Sequence, residues 1–297
     1  VWGSELGVFT SFAPSDLDST VNEGNAFSFT VASGRQDRIN WVASHMFLVI
    51  GTTEGEYTVS SRGPTISPLD ISIDLRTSIG SIPYVEPIQL DHSLIFPHRG
   101  GVYLYEWGDT FSGFTGTPIN IESDHMFKSG IVALDYQQTP DRKIWAAAAD
   151  GTLVSGTRGK NGWGFSKHST WGSGAFESIC ILPTTGTHDQ VYVLADQGTA
   201  RIVEYMYRPF DETLSSAYYL DSGLDTNGLL QVATATFTGL TVFEGLNVTA
   251  VGDGVVYPNL LVTGGAVTLP VAVYQASIGM PYTMKVLTLQ IGAAPVQ

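Results

Sequence analysis

Cysteine is almost missing from the 297 residues, and the lone Cys180 cannot form an internal disulfide. Cations are scarce as well: 14 Lys and Arg stand against 28 Asp and Glu, a formal net charge of −14. That balance argues against a dedicated nucleic-acid binder, because phosphate contacts need clustered Lys and Arg. Its plain consequence is solubility. No apolar run approaches the roughly 20 residues that a membrane helix needs, so no membrane-spanning segment is expected. A basic segment followed by an apolar block is also missing from the N-terminus. Val1 is not an initiator methionine, so the N-terminus is expected to be processed, or the chain to be a piece of something longer. GxSxG, HExxH, P-loop and CxxC signatures do not occur, which removes the common hydrolase, metalloprotease, nucleotide and redox readings.

The remaining candidates for chemistry are weak. Among the six histidines only His92 and His98 are close, without further ligands at metal spacing. Three carboxylate pairs are close in sequence. Asp16 and Asp18 read as a solvated loop, Asp70 and Asp74 as one face of an alternating strand, and Glu54 and Glu56 as a turn and the start of a strand. The glycines of residues 156–164 read as a loop between outer strands. Trp41, Trp107, Trp145, Trp163 and Trp171 could stack on sugars, but four of the five sit in or beside predicted strands, which favours packing. Ile179-Cys180-Ile181-Leu182 reads as a core strand with the thiol as a small buried hydrophobe. No catalytic residue, cofactor or metal is expected.

What is present points to strands and turns. Hydrophobic residues at 43% exclude a disordered chain. Gly 33, Tyr 13 and Phe 14, with only 14% charged residues, favour many short strands. Residues 129–157 display the unit most clearly. An apolar run to Tyr136 is broken at 137–142, a second runs from Lys143 to Ala149, and a third follows Asp150-Gly151. Asp-Gly between apolar runs predicts a tight hairpin, in type I′ geometry with positive φ at both central residues. The rival helix over Ala146–Ala149 is too short between Pro140 and Asp150 to stand alone.

Candidate turns recur at Glu54-Gly55, Arg99-Gly100, Asp150-Gly151 and Gln197-Gly198, with glycines 45, 51 and 47 residues apart. Apolar strands precede and follow each. A period of about 48 residues holding four short strands is the pattern of a β-propeller blade. The expected fold is all-β: about four four-stranded blades plus a partial one over residues 1–211, then a small barrel-like or sandwich domain over 212–297. Leu6 to Phe12 and Ala26 to Val31 are expected as outer strands of the incomplete blade, pairing with the last one to close the ring. The second domain is expected to hold strands at Gln231–Phe237, Asn247–Val251, Val255–Tyr257, Ala266–Leu269 and Met284–Ile291.

Several stretches together resemble tail nozzle proteins of short-tailed bacteriophages, also called tail tubular or stabilisation proteins. They are Gly130 to Asp141 with Ile144-Trp145 and Ala149 to Leu153, then Leu48 to Glu56 and Gly174 to Ser178, and in the C-terminal part Phe243-Glu244-Gly245, Gly252-Asp253-Gly254 and Gly264 to Pro270. The glycine-rich Ser155 to Gly159 departs from the aromatic and acidic strand that the resemblance would place there. The resemblance implies a structural virion protein and not an enzyme. It implies a homo-oligomeric ring of six copies, joined to an adaptor and to fibres or spikes, through which phage DNA passes without specific binding. The alternative from the residues is a carbohydrate-binding propeller of lectin or glycosidase type.

Overall fold

The computed structural model describes residues 1–31, 37–63, 65–111, 113–160, 162–198, 200–207, 218–226 and 230–286. The chain divides into two compact units, Val1–Ser169 with Ala175–Asp196, and Thr170–Gly174 with Gln197–Gln297. The boundary expected at Asp211 lies outside the described residues. Among the described residues no helix is long and apolar enough to cross a membrane.

The fold is all-β. Short strands β1 (Trp2–Gly3) and β2 (Phe27–Ser28) pair with each other. Three antiparallel sheets follow, each with its strands adjacent in chain order. The first holds β3 (Ile39–Ser44), β4 (Leu48–Thr52), β5 (Glu56–Ser60) and β6 (Ser72–Thr77). The second holds β7 (Ile88–Leu90), β8 (Ser93–Pro97), β9 (Leu104–Thr110) and β10 (Gly113–Pro118). The third holds β11 (Ile131–Gln137), β12 (Lys143–Ala148), β13 (Leu153–Gly159) and β14 (Gly162–His168). β15 (Ala175–Leu182) and β16 (Gln190–Asp196) pair antiparallel in a further sheet, and β17 (Arg201–Tyr205) follows in the chain; residues 208–217, where a further strand of that expected blade would fall, lie outside the described residues.

Burial follows position within each sheet. The second strands β4, β8 and β12 are buried along almost their whole length, so they read as continuous apolar runs: both of their faces are covered. The last strands β6, β10 and β14 are partly exposed throughout. Small residues permit close packing at the centre. Trp41 lies over Gly51, where a Cβ would fall 1.9 Å from the indole, and Ala146, Ala147 and Ala148 are buried in β12.

The second unit contains β18 (Asp221–Asp225), β19 (Thr234–Thr238), β20 (Asn247–Gly252), β21 (Val255–Leu261), β22 (Ala266–Val273) and β23 (Ala276–Met280). A four-stranded sheet runs β18-β23-β20-β21, and β19 pairs with β22. They share one core that includes Leu240, Phe243, Val248, Ala250, Leu269 and Ile278, with Trp171 packed against it.

Several expectations are corrected. Leu6 to Phe12 is a series of turns, with Val8 N bonded to Glu5 O and Ser11 N to Val8 O; local hydrogen bonds there replace a ladder. Only Phe27–Ser28 of the second N-terminal piece is a strand, and its partner is β1, not a later sheet. Residues 156–164 are mostly ladder: Arg158 pairs with Trp163 and Gly159 with Gly162. Asp70 precedes β6 in a turn, where it accepts bonds from Ser61 Oγ and Arg62 N. Cys180 is exposed, because a bulge between Phe176 and Ser178 resets the alternation of β15 and turns Ile179 inward. β18 and β23 were not expected, and Met284 to Val286 lie outside any strand; residues 287–291 of that expected strand lie outside the described residues.

The turn geometry also differs from expectation. Gly151 N donates to Ala148 O at 2.9 Å and Ala148 N to Thr152 O at 2.8 Å. Gly151 has φ 82°, whereas Asp150 is not among the positive-φ residues. This is a type I turn closed by a left-handed glycine, the three-residue alternative to type I′. A Cβ on Gly151 would also lie 2.3 Å from Ala175 Cβ. Gly151→Val is therefore expected to destabilise the first unit by about 1–3 kcal/mol from backbone strain alone, more with the clash. Thermal unfolding followed by circular dichroism checks this; an unchanged midpoint would refute the assignment of the turn.

Candidate functional site

The first three turns expected from sequence each join the second and third strands of their sheets, and they form a continuous seam. Ser81 N, just before the second sheet, donates to Thr52 O of the first turn at 2.8 Å. Ile131 N, opening the third sheet, donates to Gly101 O of the second turn at 2.9 Å. Phe176 N, opening the next, donates to Gly151 O of the third at 2.9 Å. A matching set runs within each sheet: Thr53 N to Arg38 O, Arg99 N to Gly80 O, and Ala149 N to Gly130 O. Each sheet is thus tied to the next by the same main-chain step.

Side chains reinforce the seam. Glu54 pairs with Arg99 at 3.1 Å, linking the first turn to the second; both are partly exposed, so the pair contributes at most about 1 kcal/mol. Gly55 lacks a positive φ, and its reason is close approach, since a Cβ there would lie 2.5 Å from Thr77 O. At the second turn the left-handed residue is Gly101, φ 75°, not Gly100. Gly198 has φ 79° and Gln197 N donates to Ala200 O at 3.0 Å. At the opposite ends of the strands Asp189 accepts from Gln138 N and Thr139 N at 2.9 and 2.8 Å, and Arg142 pairs with Asp91.

The central polar group of the seam opens β5, as expected for Glu56, and its burial was not expected. Glu56 is fully buried. Its carboxylate accepts from Thr77 Oγ1 at 2.5 Å, Gly80 N at 2.9 Å and Ile79 N at 3.4 Å. Thr77 Oγ1 in turn accepts from Trp107 Nε1 at 2.7 Å, so one chain of bonds joins the first two sheets. Burial, and to a smaller degree the charge of Asp37, push the Glu56 pKa up to about 7 against the pull of those three donors. Nothing in the Glu54-Gly55-Glu56 motif reveals that its second glutamate is buried.

No family model matches the chain, and no curated protein does either.

In the second unit Asp221 has a comparable setting. Burial first, then the charge of Glu204, raise its pKa to about 6, opposed by bonds from Trp171 N, Thr170 and Ser222 N. Asp225 accepts from Tyr207 Oη at 2.9 Å and Ser277 Oγ at 3.3 Å.

The other candidates are distributed without convergence. Asp16 accepts from Asn22 and Asn25 in its own loop, and Asp74 pairs with Arg76 at 3.3 Å. His98 Nδ1 accepts from Gly100 N, and among the described residues no group of three or more His, Cys, Asp and Glu is placed to hold a metal. Ser155 Oγ and His168 Nε2 are 2.8 Å apart across neighbouring strands, but Ser155 is buried, and burial lowers the His168 pKa. Trp41, Trp107 and Trp145 are buried; Trp163 packs on Phe165 and Trp171 on Phe243. The arrangement is suited to holding sheets in register.

Glu56 makes the first unit pH-dependent. Its pKa rises from 4.5 to about 7 on folding, so the folded state binds the proton more tightly. The resulting stabilisation is complete below pH 4.5 and is lost as pH rises through 7. Its upper size is about 3 kcal/mol. Subtracting the thermal profile of Glu56→Gln from wild type between pH 8 and pH 5 should leave a stabilisation that grows toward low pH. A flat or inverted difference would refute it.

Proposed function

We propose that this chain is a structural protein of a short-tailed phage tail, with its sheets arranged as blades of a β-propeller and several copies forming the nozzle ring around the DNA-ejection channel. The observation that carries this reading is the repeated seam: three successive turns, each accepting a main-chain bond from the segment that leads into or opens the next sheet. A constant step between four-stranded sheets is what radial blades require, and it accompanies the resemblance in Leu48 to Glu56, Gly130 to Leu153 and Gly174 to Ser178. The reading places the protein in the virion, next to an adaptor and to fibres or spikes, with a copy number of six taken from the resemblance.

In this reading the net charge of −14 serves DNA passage. A channel wall of like charge repels the polyanion within about 8–10 Å at physiological salt, so DNA slides without being held. The carbohydrate-binding alternative draws no support from Trp41, Trp107, Trp163 and Trp171, which pack in apolar clusters, or from Trp145, which is buried beside His168.

Negative-stain images of the purified chain at high concentration are expected to contain rings with a central opening, and those rings are expected not to retain duplex DNA at low salt. A monomer at all concentrations would overturn the nozzle. Tight, salt-sensitive DNA retention would overturn the repulsive channel alone, and binding on a glycan array would favour the sugar-binding alternative.

A further inference from the structure

One hydroxyl joins the first two sheets. Glu56 opens β5, Thr77 ends β6 and Trp107 lies in β9. Glu56 and Trp107 are fully buried. Thr77 Oγ1 lies 2.5 Å from Glu56 Oε2 and 2.7 Å from Trp107 Nε1, and among the described residues it has no third hydrogen-bond partner. The other groups on the carboxyl are the amides of Ile79 and Gly80, which can only donate. No cation neutralises it: among the described residues no ion pair includes Glu56, and the flanking Arg76 and Arg99 pair with Asp74 and Glu54. The charged group that faces it is Asp37, tied to the first turn by Thr52 Oγ1 and Glu54 N.

Two requirements conflict here. A buried carboxylate that has no cation and faces a second carboxylate is costly, and a proton removes that cost. A protonated carboxyl must in turn donate, and the acceptor within reach is Thr77 Oγ1, since the amides of Ile79 and Gly80 offer no lone pair. The Trp107 indole already donates to the same oxygen. Both lone pairs of Thr77 Oγ1 are then occupied, and its own hydrogen has no acceptor. With Glu56 ionised, the hydroxyl donates to the carboxylate and accepts from the indole, so every hydrogen of the chain is used. One state costs desolvation and the other a lost bond. The pH decides between them.

We propose that Glu56, Thr77 and Trp107 form a pH-sensitive switch between the first two sheets: loss of the Glu56 proton reverses the Thr77 hydroxyl, and the reversal is transmitted to the Trp107 indole on the neighbouring sheet. In the ionised form a continuous run of hydrogen bonds ends on a charge, and such runs reinforce one another. In the protonated form Glu56 and Trp107 both donate to one hydroxyl, and the run is interrupted at Thr77. The switch lies within one chain and is independent of the proposed ring.

The test is a pH titration of the full chain, followed by nuclear magnetic resonance of isotope-labelled tryptophan, with the Trp107 indole signal assigned by its loss in Trp107→Phe. Between pH 5 and pH 9 that signal should shift as a one-proton titration with its midpoint near 7. The shift should vanish in Glu56→Gln and in Thr77→Val, and should remain in Thr77→Ser, which keeps the hydroxyl. Should Glu56→Gln not fold, Asp37→Asn supplies an independent reading: removing the facing charge should move the midpoint to lower pH, because that charge opposes ionisation. A Trp107 signal that stays fixed across the range would overturn the switch. So would a shift that survives in Thr77→Val or Glu56→Gln, since the titrating group or the route would then lie elsewhere. An unmoved midpoint in Asp37→Asn would remove Glu56 as the titrating group and overturn it as well.

Discussion

The first unit depends on one constraint: the carbonyl at the end of each inner turn must accept the amide that opens the following sheet. Thr52, Gly101 and Gly151 supply those carbonyls to Ser81, Ile131 and Phe176. A buried main-chain group left unpaired costs more than a formed bond gains, so each bond fixes where the next sheet can begin. Left-handed glycines at 101 and 151 aim the turn, which other residues adopt only with strain. The spacing of the turns in sequence thereby becomes a spacing of sheets.

That constraint also explains the distribution of burial. Once successive sheets are held face to face, their second strands are covered on both sides, and only apolar or small residues fit in β4, β8 and β12. In the adjoining β5 the ionisable Glu56 is buried as well. It is tolerated because three donors converge on it and because it holds the segment Thr77 to Gly80 that leads to the second sheet. Such a group costs desolvation and gains position. Its pH sensitivity comes from the same burial that makes it useful as an anchor.

The polar side chains of the first unit bond neighbouring sheets and loops, and Ser155 and His168, the pair with nucleophile-and-base spacing, are held within a sheet. The second unit differs. Between Asp253 and Lys285 it carries no Asp, Glu, Lys, Arg or His, and Val255, Val256, Tyr274 and Tyr282 are exposed there.

Turn positions and strand identities were legible in the sequence because they rest on local chemistry. Pro140 and Asp150-Gly151 bound a run too short for a helix, so Lys143 to Ala148 had to be a strand despite its alanines. The recurrence of such turns predicted sheets of strands adjacent in chain order, as observed in the first three. What stayed hidden was whatever depends on residues brought from elsewhere. Cys180 faces outward because a bulge shifts the register of β15 by one residue, and a single-residue shift exchanges the two faces of a strand. Leu6 to Phe12 has strand-like composition but no partner to make a ladder with, so it satisfies its main chain through turns. Glu56 reads simply as a strand start, and its burial appears only when Thr77 and Gly80, more than twenty residues away, close over it. Local propensity determined which segments extend and where they reverse; tertiary packing alone decided which faces are buried and which carboxylates change their acidity, because burial belongs to a pair of surfaces and not to a segment.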